Sequence, residues 1–247
     1  MVRLSVNINK VATLRNSRGG QVPDPACAVA ACLRAGARGI TVHPRADARH
    51  ITSADVRAIA AALAAHRDRV EYNIEGDPRP DLMALVHEVR PDQLTLVPVL
   101  SGEITSQAGW PREAAGRALR SAIEQARAAG IRVSLFIEAD PEAVAWAAGM
   151  GADRVELFTE PYARAFERGE AAARGPFELC VRAAERAHAL GLGVNAGHDL
   201  DLRNLALFRT LPHLAEVSIG HALMSRALFV GLETVVREYL EVLVAAE

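Results

Sequence analysis

The chain has 247 residues, of which 50% are hydrophobic and 23% are charged, and its formal net charge is −2. This length suits one domain with a single substantial core, and the composition is that of an ordinary globular protein. The weak, scattered charge gives no sign of a nucleic acid or a membrane surface as a partner. We therefore expect one domain over residues 1–247.

Two further features of composition bear on location and chemistry. No apolar run reaches the roughly 18–20 residues that span a bilayer, and the first ten residues are too polar for a signal peptide. The three cysteines, Cys27, Cys32 and Cys180, have no CxxC spacing and are expected to be buried free thiols. We expect a cytoplasmic protein. Lys10 is the only lysine, so a Schiff base with an enzyme lysine has one candidate.

Short runs rich in Val, Ile and Leu alternate with longer segments of helical period along the chain. The predicted strands are 3–9, 39–43, 70–75, 93–98, 132–138, 154–159, 192–198 and 216–221. The clearest predicted helices are 25–36, 53–66, 81–89, 112–129 and 176–190. No GxGxxG motif follows the first strand, which argues against a dinucleotide-binding open sheet. Eight strand–helix units instead predict an α/β fold, the (β/α)8 TIM barrel with eight parallel strands.

Helix ends carry chemical signals. Asp24 and Asp140 each precede a proline, which is typical of an N-cap followed by the first helical residue. Thr52 and Asp55 have the spacing of a capping box, with Asp in place of the usual Glu. Several helices are predicted to end at a glycine just before a strand: Gly36, Gly130 and Gly191.

Two segments that follow predicted strands are long. Residues 99–111 contain two glycines and polar residues, and we interpret this loop as an active-site lid, with a plain surface connector as the alternative. Residues 160–175 are a second lid candidate, although their Ala, Arg and Glu content is equally typical of an extra helix.

Polar residues gather at the predicted carboxyl ends of the strands, where barrel enzymes carry their active sites. They are Asn7, Asn9, His43, Arg45, Asn73, Glu75, Glu138, Glu156, Thr159, Asn195, His198, Ser218 and His221. Burying so many ionisable groups at one mouth is costly unless they pair or take part in chemistry. The convergence favours an active site over a polar plug.

Several of these residues are suited to phosphate. Arg45, His50 in the same loop, and Arg18 in the first loop can make charge-assisted hydrogen bonds to it. Two Gly-His pairs follow the last two strands, where barrels often bind phosphate through backbone N–H groups. They are Gly197-His198 and Gly220-His221. Two anion sites predict either two phosphorylated substrates or one bisphosphate.

His43, Glu75 and His198 remain for proton transfer. Histidine titrates near neutrality, and burial can raise the pKa of a carboxyl group towards neutrality. No HxH or HExxH spacing is present, and arginines would oppose a divalent cation beside them, so we expect no metal.

These residues lie in the strings VNINKVATLRNSRGG, GITVHPRADARHI, VSLFIEAD, VNAGHDL and SIGHALM. In order and spacing the strings resemble the pyridoxine 5′-phosphate synthase family along essentially the whole chain. The resemblance implies condensation of 3-amino-2-oxopropyl phosphate with 1-deoxy-D-xylulose 5-phosphate to pyridoxine 5′-phosphate, phosphate and water. It also implies no metal or organic cofactor, and self-association as a homo-octamer.

The resemblance assigns a role to each matching motif position. His43 and Glu75 would accept protons, His198 would donate one, and Glu156 would stabilise a charged transition state. The positions that match the aminoketone phosphate site are Asn7, Arg18, Gly197, His198, Gly220 and His221. Those that match the deoxyxylulose phosphate site are Arg45, His50 and Thr105.

Two features qualify the resemblance. Asn9 and Lys10 stand where well-known members carry an aspartate–histidine pair; they can bind substrate but do not replace an acid–base pair. Glu71 competes with Glu75 for the carboxylate role, and the Asn-x-Glu pattern favours Glu75.

Two alternatives remain at the level of sequence. One is another phosphosugar barrel enzyme, an isomerase or a lyase, and the other is a non-catalytic barrel that binds a phosphorylated metabolite. The first needs only one phosphate site, and the second would keep the phosphate sites without the proton-transfer residues. The chain carries both sets of residues, which favours the synthase.

Overall fold

The structure is a computed structural model, and it describes residues 2–99, 106–114 and 116–244. Eight parallel strands form a closed barrel in chain order, each hydrogen-bonded to the next and the last to the first. The strands are β1 Arg3–Asn7, β2 Gly39–Val42, β3 Glu71–Gly76, β4 Gln93–Leu96, β5 Arg132–Ile137, β6 Arg154–Phe158, β7 Gly193–Gly197 and β8 Leu214–Ile219. The predicted (β/α)8 TIM barrel is confirmed.

Helices surround the barrel between the strands. They are α1 Asn9–Asn16, α2 Pro25–Ala35, α3 Ser53–Leu63, α4 Pro80–Val89, α5 Arg117–Ala128, α6 Pro141–Met150, α7 Glu160–Glu167, α8 Glu170–Ala189, α9 Leu205–Phe208, α10 His221–Val230 and α11 Leu232–Val244. Residues 160–175 form α7 and the start of α8, so the extra-helix interpretation of this segment is correct. Within the described ranges, no helix is both long and apolar enough to cross a membrane.

The predicted caps form as expected. The side chain of Asp24 accepts a hydrogen bond from Ala26 N at 2.9 Å, and Asp140 accepts one from Glu142 N at 3.1 Å. Thr52 and Asp55 form both halves of the capping box at the start of α3. Gly36 ends α2 in the left-handed conformation, with φ of 100°.

Three strand predictions extended two residues too far at their carboxyl ends. The predicted strand 93–98 ends at Leu96. The predicted strand 3–9 ends at Asn7, and Asn9 is the first residue of α1. The predicted strand 216–221 ends at Ile219, and His221 is the first residue of α10. The cysteine prediction was also partly wrong, because Cys27 is exposed while Cys32 and Cys180 are buried.

Alternate residues of each strand face the helices or the barrel interior. The apolar set, such as Leu4 and Val6, is fully buried in the main core. The interior set is largely polar, and its middle layer is joined by hydrogen bonds across four strands. Ser5 contacts Thr41 at 2.7 Å, Asn73 donates to Thr41 at 3.3 Å, and Thr95 donates to Asn73 at 3.0 Å.

The amino-terminal end of the barrel is closed by a charged layer. Arg3 and Arg132 both pair with Glu71, and Arg3 lies 3.7 Å from Glu216. Asn195 belongs to this part of the interior, because it accepts from Arg154 at 2.8 Å and donates to Glu216 at 3.3 Å. The predictions of Asn73 and Asn195 as mouth residues were therefore wrong: both side chains are held deeper in the barrel.

Candidate active site

Parallel strands bring distant parts of the chain to one mouth at their carboxyl ends. Asn7 ends β1, His43 follows β2, Glu75 lies near the end of β3 and His198 follows β7. Because β1 is hydrogen-bonded to both β2 and β8, the first and last strands contribute to the same side of this mouth.

His43 and Glu75 form a buried pair on neighbouring strands. Nδ1 of His43 lies 3.8 Å from Oε2 of Glu75, and the two residues are 6% and 9% exposed. Nε2 of His43 is buried and has no hydrogen-bond partner within the part of the chain that the structure describes. This nitrogen is therefore placed to meet a group that a substrate brings.

The environment moves the two pKa values in opposite directions. Burial, reinforced by the charges of His50 and Arg45, lowers the pKa of His43 to about 3. Burial, reinforced by Glu216, raises the pKa of Glu75 to about 8. Near neutral pH the imidazole is uncharged and Glu75 holds a proton. His43 can accept a proton directly, whereas Glu75 must first release its own.

Asn7 and Asn9 connect the start of α1 to this pair. Asn7 Nδ2 lies 3.5 Å from Glu75 Oε2, and Asn7 Oδ1 accepts from the backbone N–H of Asn9 at 3.1 Å. The Oδ1 atom of Asn9 accepts from the backbone N–H of His43 at 2.9 Å. The side chain of Asn9 thus fixes the backbone that carries His43.

The loop after β2 adds positive charge beside the pair. Arg45 and His50 are 7% and 9% exposed, and the rings of His50 and His43 are 6.1 Å apart in an edge-on arrangement. Nδ1 of His50 accepts from Ile51 N at 3.0 Å. Burial, followed by the charges of Lys10 and Arg45, lowers the pKa of His50 to about 4. The cations Lys10 and Arg45 are suited to a phosphate group.

His198 stands on a strained turn after β7, with φ of 90°. Its ring packs edge-on against Phe158 at 5.0 Å, and its Nδ1 lies 3.4 Å from Asp199 Oδ2. The hydroxyl group of Thr159 donates to the carbonyls of Gly197 and His198. A non-glycine residue with positive φ is uncommon and is often associated with function, and here its surroundings hold it in place.

Glu156 approaches the end of β7 from inside the barrel. It is 4% exposed, and burial, followed by the charges of Glu75 and Glu216, raises its pKa. A Cβ atom at position 197 would collide with Oε1 of Glu156. Glycine at 197 therefore allows the carboxyl group to lie directly against the backbone beside His198.

The second Gly-His pair lies next to β1. A Cβ atom at position 220 would stand 3.1 Å from Asn7 Cβ, and His221 is the first residue of α10. The charge of His221 contributes to the lowered pKa of Asp199, after the hydrogen bond and charge of His198. The ends of β7 and β8 thus converge, with the N-terminus of α10 beside them.

Within the described residues, no side-chain hydrogen bond or ion pair joins Arg18 to this group. Arg18 is exposed after α1, and its guanidinium has no ion pair within the described ranges. Thr105 lies outside the described residues, as does part of the predicted lid. The described end of that loop is anchored, because Glu138 accepts from Gly109 N at 2.9 Å and Trp110 Nε1 donates to Leu96 O at 2.8 Å.

Sequence reasoning missed two contributors to the mouth. Arg79 donates to the carbonyl of Pro44, and its charge helps to lower the pKa of His43; its place in the loop after β3 was an available signal. Val97, Phe136 and Phe158 form a small apolar cluster, with the two rings 5.4 Å apart. Strand alternation places these three side chains on the interior face, which was the signal for them.

The arrangement can bind anions and move protons. Among the described residues, no group of three or more His, Cys, Asp and Glu side chains is placed to hold a metal ion. The fold and the mouth together define the class: a (β/α)8 barrel with titratable residues and cations gathered at the carboxyl ends of its strands, where barrel enzymes carry their active sites.

The family follows from sequence comparison. The model of the family described as "Pyridoxal phosphate biosynthesis protein PdxJ" matches residues 4–245. The pyridoxine 5′-phosphate synthases of Porphyromonas gingivalis and Bacteroides thetaiotaomicron are 51% and 52% identical to the chain over 240 residues, covering 97% of it and 98% of each relative. The chain belongs to the PdxJ family.

Solved structures agree on the fold. A 3-keto-L-gulonate-6-phosphate decarboxylase from Vibrio cholerae matches with a TM-score of 0.64 at 11% identity, covering 98% of this chain and 97% of that one. A phosphoribosylanthranilate isomerase from Thermotoga maritima matches with a TM-score of 0.59 at 13% identity, covering 98% of both chains. At these identities the likeness concerns the barrel alone.

Proposed function

We propose that this chain is a pyridoxine 5′-phosphate synthase that condenses 3-amino-2-oxopropyl phosphate with 1-deoxy-D-xylulose 5-phosphate. The products are pyridoxine 5′-phosphate, phosphate and water. Family membership at about half identity over nearly the whole chain supports the reaction. The observation that carries the proposal is the buried His43–Glu75 pair, which opens at the same mouth as His198.

Proton transfer is divided among three residues in this proposal. His43 is uncharged near neutral pH and accepts a proton at Nε2, while Glu75 accepts one once it is ionised. His198 donates a proton, and its Nδ1 lies 3.4 Å from Asp199 Oδ2. Imine formation, dehydration, phosphate loss and ring closure each move protons, which suits a mouth with several titratable groups.

Glu156 is proposed to stabilise a charged transition state. Its pKa is raised because the carboxyl group is buried close to two others, and no cation of the described residues offsets this. A cationic imine formed beside it would provide that charge and favour the carboxylate. The stabilisation would therefore arise as the charge develops in the transition state, and it would lower the activation free energy of the reaction.

The two phosphates are assigned to different parts of the mouth. The aminoketone phosphate would bind to residues near β1, β7 and β8: Asn7, Arg18, Gly197, His198, Gly220 and His221. The deoxyxylulose phosphate would bind to Arg45 and His50, in the loop after β2, and to Thr105. Asn9 and Lys10 would lie next to it. Holding both substrates in place makes their reaction effectively intramolecular.

An enzyme lysine is not needed in this scheme. The amine of the aminoketone phosphate itself forms the imine, so Lys10 need not act as a nucleophile. Asn9 is also compatible with the scheme, since its amide group holds the backbone of His43 through a 2.9 Å hydrogen bond. No metal or organic cofactor takes part in the proposed reaction.

We also propose that the chain forms one domain and works in the cytoplasm as a homo-octamer. Apolar surface on α10 supports self-association, because Leu228 and Phe229 are 71% and 88% exposed. Light scattering on purified protein should give a mass well above one chain. A monomer at micromolar concentration would contradict this assignment.

The reaction is tested by incubating purified protein with both substrates. The proposal predicts pyridoxine 5′-phosphate, seen by its absorbance and mass, together with released phosphate. Each substrate alone should give neither product. Turnover of one phosphosugar by itself would indicate an isomerase or lyase, and binding of both substrates without product would indicate a non-catalytic barrel.

A further inference from the structure

A cavity lies at the opposite end of the barrel from the active-site mouth. Its volume is about 630 Å³, within the range of small-molecule sites. It is formed by the connections that precede β2 to β5, together with the first residues of β1, β3 and β5. A molecule in this cavity would occupy the amino-terminal face, with the barrel interior between it and His43.

The lining is strongly basic. It contains six arginines, which are Arg3, Arg38, Arg67, Arg69, Arg90 and Arg132. Only three acidic residues line the same cavity: Asp68, Glu71 and Asp92. The positive charges therefore outnumber the negative ones by three.

The acidic residues are largely occupied by specific partners. Glu71 is shared between Arg3 and Arg132, and Asp92 pairs with Arg67 at 2.9 Å. Within the described ranges, the guanidinium groups of Arg38 and Arg90 have no hydrogen-bond or ion-pair partner, and both residues are exposed. The cavity thus contains two guanidinium groups that no carboxylate of the described residues neutralises.

Capping of helix C-termini explains only part of this cluster. Arginine is favoured at a helix C-terminus, and Arg67 donates to the carbonyl of Arg90 at 2.9 Å, at the end of α4. Arg38 makes no such bond, and Arg3 and Arg132 belong to strands. A guanidinium group can bind a planar or tetrahedral oxyanion through two parallel hydrogen bonds. Six such groups line this one cavity, whose size suits a small molecule.

We propose that this cavity is an additional anion site, which binds a small phosphorylated molecule on the amino-terminal face of the barrel. Arg38 and Arg90 supply the free guanidinium groups, while Arg3 and Arg132 form the inner wall. The site is separate from the two phosphate positions at the catalytic mouth, and it does not depend on the proposed reaction.

Calorimetric titration with inorganic pyrophosphate tests the site. The double variant Arg38→Gln/Arg90→Gln should lose one bound pyrophosphate per chain, or bind one of them at least fivefold more weakly, compared with the unaltered protein. The matched control is Arg120→Gln/Arg182→Gln, which removes two exposed arginines that lie outside the cavity and have no ion pair within the described ranges. The control should bind pyrophosphate as the unaltered protein does. If Arg38→Gln/Arg90→Gln keeps every bound pyrophosphate with less than a fivefold loss of affinity, the proposal is overturned. An equal loss of pyrophosphate binding in the control would also overturn it.

A second measurement needs no variant. Phenylglyoxal labels exposed arginines, and peptide mass spectrometry locates the label. Pyrophosphate should slow labelling of Arg38 and Arg90 at least fivefold while leaving labelling of Arg120 unchanged. Equal labelling rates at Arg38 and Arg90 with and without pyrophosphate would overturn the proposal.

Discussion

At the scale of single residues, β3 carries two carboxyl groups with opposite environments. Burial alone would raise the pKa of Glu71, but the hydrogen bond from Arg132 and the charge of Arg3 lower it. Burial raises the pKa of Glu75 to about 8, and no cation in the described part of the chain offsets it there. The sequence pattern around Glu75 favoured this residue for the proton-transfer role. The structure adds the reason why Glu71 is occupied elsewhere, which depends on arginines from β1 and β5.

The raised pKa of Glu75 has a consequence for stability. In the unfolded chain this group titrates near its ordinary pKa of about 4.3. Between that pH and about 8 the folded protein keeps a proton that the unfolded chain has lost, so the free energy of unfolding falls as pH rises. Glu75→Gln removes this titration, and its Tm should exceed that of the unaltered protein by several degrees at pH 8.

The comparison at low pH is the control. Near pH 5 the excess in Tm should shrink, because Glu75 is then protonated in the folded state and partly protonated in the unfolded state. Thermal unfolding of both proteins across this range measures the effect. A Tm difference that stays constant from pH 5 to pH 8 would show that the carboxyl group does not titrate as described.

The two mouth histidines are expected to control turnover. His43→Ala and His198→Ala should each lower kcat by roughly 10²–10⁴-fold, the range for loss of a general acid or base. His87→Ala is the matched control, because His87 lies on α4 away from the mouth, and its kcat should be unchanged. Steady-state rates with both substrates decide this; normal rates in both mouth variants would contradict the assigned roles.

At the scale of elements, strand positions were well predicted and three strand ends were not. Runs such as RVSLFI in β5 alternate with capped helices, and these patterns are local. Two of these three strand predictions precede α1 and α10. Neither of these helices has a side-chain cap, at Ile8 or Gly220. Without a capping residue there was no local signal that the strand had ended.

The loop that follows β4 offers a test at this scale. A Cβ atom at Gly109 would lie 2.5 Å from Glu138 N, against the backbone of β5. Gly109→Ala should therefore displace the anchored end of this loop and destabilise the fold by about 1–3 kcal/mol, the usual cost of overpacking.

Gly149→Ala is the control for that substitution. Gly149 lies in α6 with open space around its Cβ position, and alanine is favoured over glycine inside a helix. Its stability should be equal to or slightly above that of the unaltered protein. Denaturant unfolding of the two variants measures the difference, and equal stabilities would contradict the described packing of Gly109.

At the scale of the whole molecule, the eight strand–helix units in the sequence predicted a closed barrel. They did not predict how deep in the barrel each interior side chain lies. Asn195 lies two residues before the end of β7 and was expected at the mouth. It instead contacts Arg154 and Glu216, next to a shift of register between Val194 and Asn195. Register and depth depend on pairing between strands that are distant in sequence, so local patterns carry little information about them.

The charged layer at the amino-terminal end is expected to support stability rather than catalysis. Glu71→Gln would leave Arg3 and Arg132 without their shared carboxylate. Because these side chains are between one fifth and one third exposed, the loss should be moderate, about 1–3 kcal/mol. Denaturant unfolding measures it, and an unchanged free energy of unfolding would contradict a stabilising role.

The most direct test compares turnover of Glu75→Gln and Glu71→Gln, two identical substitutions on one strand at opposite ends of the barrel. If the acid–base chemistry takes place at the carboxyl-terminal mouth, Glu75→Gln lowers kcat for pyridoxine 5′-phosphate formation by at least about 10²-fold, while Glu71→Gln remains within about threefold of the unaltered protein. A similar kcat for both variants would contradict the location of the active site.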